Sequence, residues 1–125
     1  MPFGHQPIKE PFGHQPIKVP FGHQPINKIP IYIIKHSMYN YLVEFIGTIF
    51  FVYVILATGN PLAIGAALAL AILLARNTSG GHFNPAVSLA MASAGSLPAT
   101  ELFPYIMAQS FGGLVAHQIF IRFKM

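Results

Sequence analysis

The chain contains no cysteine, which excludes disulfides, thiolate metal sites and cysteine nucleophiles. It is also poor in charge: 8% of its 125 residues are charged, against roughly 25% in soluble domains. Acids are the scarcer sign, three against seven Lys and Arg, so the formal net charge is +4 with histidines counted as neutral. Hydrophobic residues make up 54%. A soluble fold of this length, at most one compact domain, cannot hide so much apolar surface behind so few charges; lipid as the solvent removes the conflict. The basic excess is not a nucleic-acid footprint. Lys9, Lys18, Lys28 and Lys35 place it largely in a tail, and no folded face combining Arg, Lys and aromatic residues is visible. The first 30 residues are polar and Pro-rich, unlike the apolar core of a secretory signal peptide.

What the tail does have is a repeat. Residues 2–28 read PFGHQPIKE, PFGHQPIKV and PFGHQPINK, a nine-residue unit used three times. Each unit carries two prolines and a glycine, so residues 1–37 are expected to be an extended or disordered tail. His5, His14 and His23 recur at spacing nine. Metal ligands usually stand a few residues apart or are gathered by a fold, so a solvated tail enlarged by duplication is preferred to a metal-binding tract. Lys9, Lys18 and Lys28 suit anionic headgroups, at about 1 kcal/mol per basic residue near the surface.

From residue 38 to 125 the chain reads as a membrane domain with all-α character. Tyr39 to Thr58 is an apolar run with one charge, about 30 Å as a helix and enough to cross a bilayer core. Tyr39, Tyr41 and Tyr53 suit the interfaces. Gly59 to Pro61 is turn chemistry. Pro61 to Ala75 follows as a short second span, rich in the small residues that favour close packing in lipid, and Arg76 and Asn77 mark an interface. Glu101 to Ile121 is the third long segment. Pro104 lies near its start, where a missing backbone donor matters least.

Between the second and third spans lies TSGGHFNPAVSLAMA, Thr78 to Ala92. Its apolar part is too short to span, and SGGHF cannot face lipid as irregular backbone. A re-entrant segment resolves this: an irregular loop dips inward and a half-helix returns to the same side. Asn84 is a favoured N-cap and Pro85 falls at the first helical position, with Gly95 as the stop. The half-helix would project free N–H groups and the positive end of its dipole into the membrane interior. Three spans put the termini on opposite sides. Lys9, Lys18, Lys28, Lys35 and Arg76 on one side outweigh Arg122 and Lys124 on the other, which predicts a cytoplasmic N-terminus.

At SGGHFNPAVS the sequence resembles the first half of a major intrinsic protein, the aquaporin and aquaglyceroporin family. EFIGTIFFVYVILA is similar to the family's first helix and YIMAQSFGGLVA to its third, so the likeness runs from about Met38 to Phe123. The resemblance implies three transmembrane helices plus one re-entrant half-helix. It implies that Asn84, Pro85 and Ala86 are the NPA motif, with the Asn84 amide donating to a passing water or polyol. It implies that the carbonyls of Gly80, Gly81, His82 and Phe83 are a ladder of acceptors, and that His82 lines the pore. Glu44 and Gln109 correspond to residues that support the loop, and Ile64 to the second-helix position of the selectivity constriction. An unpaired intramembrane glutamate costs roughly 2.5 to 3.5 kcal/mol on insertion scales, so Glu44 needs the donors such a loop offers. Gly47, Gly65, Gly112 and Gly113 read as packing positions.

The family carries two such halves, and its second-half motif usually reads NPAR. Here Val87 follows Ala86, which marks a first-half copy, with the sequence ending after the third helix. The expectation is a channel-type membrane protein for water or small neutral solutes such as glycerol, working as a half-channel with a second-half or full-length partner or as a homo-oligomer. Oppositely inserted copies are disfavoured, because one lysine-bearing tail would have to cross the membrane. The alternative is a truncated or regulatory membrane subunit that binds full-length channels without conducting. The His, Ser and Glu residues form no nucleophile–base–orienter set near a polar cleft, so no enzyme activity is expected, and no cofactor or metal.

Overall fold

A computed structural model describes residues 31–124. The nonapeptide repeat, with His5, His14, His23 and its lysines, lies outside the described residues. Those residues that are described form four helices and no strand: α1 (Ile31–Thr58), α2 (Pro61–Ala75), α3 (Pro85–Ser93) and α4 (Ala99–Arg122).

α1 is the longest at 28 residues and begins ahead of the apolar run at Tyr39. It thereby includes Lys35, His36 and Ser37, which lie outside the apolar run that starts at Tyr39. Pairing supports the extension: Ser37 Oγ donates to Glu101 Oε1 at 2.8 Å. Gly59, at φ 56°, turns the chain out of α1. Asn60 then caps α2, its Oδ1 accepting from the N–H groups of Leu62 and Ala63 at 2.9 and 3.1 Å, with Pro61 opening the helix. α3 starts with the same chemistry. Asn84 is extended, Pro85 follows, and Asn84 Oδ1 accepts from the Ala86 N–H at 2.8 Å. At the far end of α3, Gly95 (φ 81°) reverses the chain and the N–H of Ser96 returns to the Met91 carbonyl at 2.8 Å, a glycine C-terminal stop. α4 has Pro98 before it, Glu101 in its first turn and Arg122 in its last, charges that complement the helix dipole.

α1 packs along both α4 and α2, and α3 packs on α4. The α1–α4 crossing is close because Gly112 has no side chain: a Cβ there would meet the Phe45 carbonyl oxygen at 2.7 Å and Thr48 Cβ at 3.0 Å. Between α1 and α2 the ring of Phe83 fills the space over Gly47 and joins Ala71 and Ala75 in a small apolar cluster.

The distribution of polarity is inverted relative to a soluble protein. Asn40, Glu44, Thr48, Ser79, His82, Ser88 and Gln109 are buried, while Leu62 (82% exposed), Leu74 (77%) and Phe103 (70%) face outward. One stretch among the described residues, Lys35–Thr58, is long and apolar enough to cross a membrane by length and composition; α2 is apolar but has 15 residues. α4 has the length, at 24 residues, but carries Glu101, Gln109, Ser110, His117, Gln118 and Arg122, which dilute its hydropathy.

Candidate functional site: a loop and short helix held by Glu44

The connection from α2 to α3 is short and irregular, and three of its residues have left-handed backbone: Gly80 (φ 90°), Gly81 (φ 67°) and Phe83 (φ 53°). Glycine adopts this region without strain; Phe83 does not. Two contacts hold it there. Its ring is packed over Gly47, and its N–H donates to Glu44 Oε2 at 2.7 Å. Strain of this kind persists only where surrounding structure over-determines it.

Glu44, fully buried on α1, is the hub. Oε1 accepts from Ser79 Oγ at 2.7 Å and from the His82 N–H at 2.9 Å. Oε2 accepts from the Phe83 N–H and, at 3.0 Å, from Gln109 Nε2 on α4. Ser79 Oγ in turn accepts from the Gly81 N–H at 3.1 Å. Every Glu44 partner is a donor, the arrangement that suits a carboxylate in a dry interior. A charge here is costly to bury, and four donors converging on two oxygens offset that cost.

On the α4 side, Gln109 Nε2 also donates to Ser88 Oγ at 2.8 Å, and Ser88 Oγ lies 2.9 Å from His82 Nδ1. Tyr105, one turn before Gln109, donates its hydroxyl to the Ser79 carbonyl at 2.8 Å and lies with its ring 5.2 Å from that of His82. The loop is thus fixed from α1 by a carboxylate and from α4 by an amide and a phenol.

Glu44, Gln109, Gly81, His82 and Phe83 therefore share one network. Asn84, Pro85 and Ala86 stand at its edge and are exposed. Asn84 uses only Oδ1 for the cap, which leaves Nδ2 without a partner among the described residues; the Val87 N–H is likewise unpaired there. The carbonyls of Gly80, Gly81, His82 and Phe83 accept no hydrogen bond among the described residues, in contrast to the Ala75 carbonyl, which accepts from Thr78 Oγ1 and the N–H groups of Thr78 and Gly80. Ile64 stands apart. It lies in the first turn of α2, about 16 Å along the axis from the end at which the loop departs, and is half-buried.

Sequence reasoning did not single out Ser79, Ser88 or Tyr105. A signal for two of them exists. Tyr105 and Gln109 stand at i, i+4 on α4, as do Asn40, Glu44 and Thr48 on α1, and such stripes face one another. Ser88 has a weaker one, a polar side chain on a short apolar helix.

Residues 57–125 match the family pattern described as major intrinsic protein. The chain is 43% identical over 88 residues to glycerol uptake facilitator protein-like 6 of Lactiplantibacillus plantarum, covering 63% of this chain and 41% of that protein. It is 41% identical over 91 residues to aquaporin Z of Brucella melitensis biotype 1, covering 61% and 40%. It is 56% identical over 54 residues to aquaporin-8 of Mus musculus, covering 43% and 21%. The chain thus spans about two-fifths or less of the length of these relatives. No solved structure matches it. With more than half of its residues inside the family pattern, the chain belongs to the major intrinsic protein family.

Proposed function

We propose that residues 38–125 form one half of a channel wall for water or small neutral solutes such as glycerol, completed by a second half of the same kind. α1, α2 and α4 are its membrane-spanning helices, the loop and α3 its re-entrant segment, and the N-terminus faces the cytoplasm. The observation that carries this reading is the run of carbonyls from Gly80 to Phe83 with no internal partner, leading directly to the unpaired Asn84 amide. A buried protein pairs its backbone groups. A row left unpaired, on a loop held rigid by Glu44 and Gln109, is suited to taking over the hydrogen bonds of a permeant.

In this reading the carbonyls accept from the permeant and Asn84 Nδ2 donates to it. The α3 N-terminus supplies positive potential that disfavours cations. Pro85 and Ala86 are exposed at that N-terminus because they meet the corresponding half-helix of the complement. Ile64 belongs to the constriction, whose other members the complement provides. The names of the relatives, a glycerol uptake facilitator-like protein and aquaporins, support water and glycerol as permeants.

The test is osmotic swelling of proteoliposomes, with the chain alone and with a second-half or full-length family member. Swelling above that of empty vesicles, abolished by Asn84→Asp, is expected once the complement is present. Association with a full-length channel without added flux would favour the regulatory reading instead, and neither association nor flux would exclude both.

A further inference from the structure

We infer that Ser88 is a positioning residue: its hydroxyl, held by Gln109, donates to His82 Nδ1 and so fixes the neutral His82 ring as the tautomer with its proton on Nε2. The chemistry stands on the hydrogen-bond network; only its consequence for permeation rests on the channel reading above.

The direction of each bond follows from Glu44. Its partners are two backbone N–H groups, the Ser79 hydroxyl and Gln109 Nε2. Backbone N–H groups cannot accept, so Glu44 receives. The Gln109 amide is then oriented: turning it over would set its carbonyl oxygen 3.0 Å from a carboxylate oxygen, two acceptors face to face. With Nε2 toward Glu44, its second hydrogen points to Ser88 Oγ, 2.8 Å away. Ser88 therefore accepts from Gln109 and has one hydrogen to place. Its side chain is fully buried, and the only other polar atom bonded to Oγ among the described residues is His82 Nδ1 at 2.9 Å. Were Nδ1 to carry the ring proton, the Ser88 hydrogen would be enclosed with no acceptor, an unsatisfied buried donor that folded proteins avoid. Nδ1 is therefore the acceptor and Nε2 carries the proton.

The other ring nitrogen completes the picture. His82 Nε2 has no partner among the described residues, yet it is not among the enclosed unpaired atoms, which are Asn40 Oδ1, Thr48 Oγ1 and Gln109 Oε1. It lies beside Gly80, 3.2 Å from where a Cβ at that residue would stand. The fixed tautomer thus places one N–H donor next to the run of acceptor carbonyls, giving a permeant a donor on the loop before it reaches Asn84.

The experiment is solid-state nitrogen NMR on the full chain in lipid vesicles with nitrogen-15-labelled histidine, at a pH of about 8, where an ordinary histidine is neutral. The His82 resonances are assigned by their loss in His82→Asn. Expected are a single tautomer protonated at Nε2 and an Nδ1 resonance displaced from that of a free imine nitrogen. Ser88→Ala should move Nδ1 to the free-imine position, and Ser88→Thr, which keeps the hydroxyl, should retain the wild-type position. A wild-type ring protonated at Nδ1 overturns the inference even if Ser88→Ala does not fold, and so does an Nδ1 resonance unmoved in a folded Ser88→Ala protein. Vesicles holding the chain and its complement that fail to swell would sink the channel reading and leave this spectrum unaffected.

Discussion

Gly47 on α1 lies directly beneath the ring of Phe83, so that a Cβ at position 47 would occupy the space the ring now fills. The absence of one side chain on a helix thereby sets the path of a loop that joins two others. Phe83 keeps its left-handed backbone only while its ring has this seat and its N–H reaches Glu44. Gly47→Ala is expected to displace the ring and cost about 1–3 kcal/mol, the range for overpacking. Gly112→Ala, which would press on the Phe45 carbonyl, should cost a similar amount. At Gly65 and Gly113 an added methyl group would meet nothing within 4 Å, and alanine there should stay within about 0.5 kcal/mol of wild type. Denaturation midpoints in one detergent, compared across the four variants, check the ordering; similar gains at all four would mean that alanine's higher helix propensity outweighs contact at every site.

Glu44→Gln is expected to be more damaging than its size suggests. The side chain now accepts four hydrogen bonds, and a glutamine amide must turn its NH2 toward two of those donors. Hydrogen bonds to charged groups contribute about 1.5–3 kcal/mol each, so a loss of about 3–5 kcal/mol is expected. The damage should be local first. Limited proteolysis at residues 76–84 should accelerate before the helices unfold, and cleavage at the wild-type rate would show that the loop does not depend on Glu44.

Tyr105→Phe isolates one bond. It removes the hydroxyl that donates to the buried Ser79 carbonyl while keeping the ring against His82 and Tyr41, the latter met edge-on at 5.8 Å. An expected loss of about 1–2 kcal/mol follows for an orphaned buried acceptor. Tyr105→Leu should cost more because it also removes the ring contacts. A thermal unfolding series of the two variants separates these contributions.

The helices are legible in the sequence where local rules decide them. Asn60-Pro61 and Asn84-Pro85 each announce a helix start by an N-cap followed by a residue that needs no N–H, and Gly59 and Gly95 announce the turns. The start of α1 is not legible, because Lys35, His36 and Ser37 interrupt the apolar pattern and Ser37 pairs with Glu101, distant in sequence. Glu44 can be singled out because a buried charge is costly and must find donors. Ser79 carries no signal of its own, and the spacing that marks Tyr105 and the polarity that marks Ser88 name no partner; only the folded loop brings the three together. Ile64 shows the complementary limit: its proposed role needs a partner surface that these residues do not contain, so neither its spacing from Asn84 nor its half-buried position on α2 tests it.

Asn60 and Asn84 supply a matched pair for the last prediction. Both cap a helix through Oδ1, both precede a proline, and both are exposed. Replacing either by alanine should cost about 1 kcal/mol of stability, the usual loss for an asparagine cap. Their functional consequences should diverge. Asn60 opens α2 next to the turn at Gly59, far from the loop, whereas Asn84 follows the four unpaired carbonyls and keeps Nδ2 free. In vesicles that contain the chain and its complement, Asn60→Ala should leave the swelling rate near wild type once protein amounts are matched. Asn84→Ala and Asn84→Asp should both remove the flux, the second while preserving an oxygen for the cap. Asn84→Asp separates the two roles, since it keeps the helix start and discards the donor. Wild-type flux through that variant would mean that Asn84 serves the fold alone.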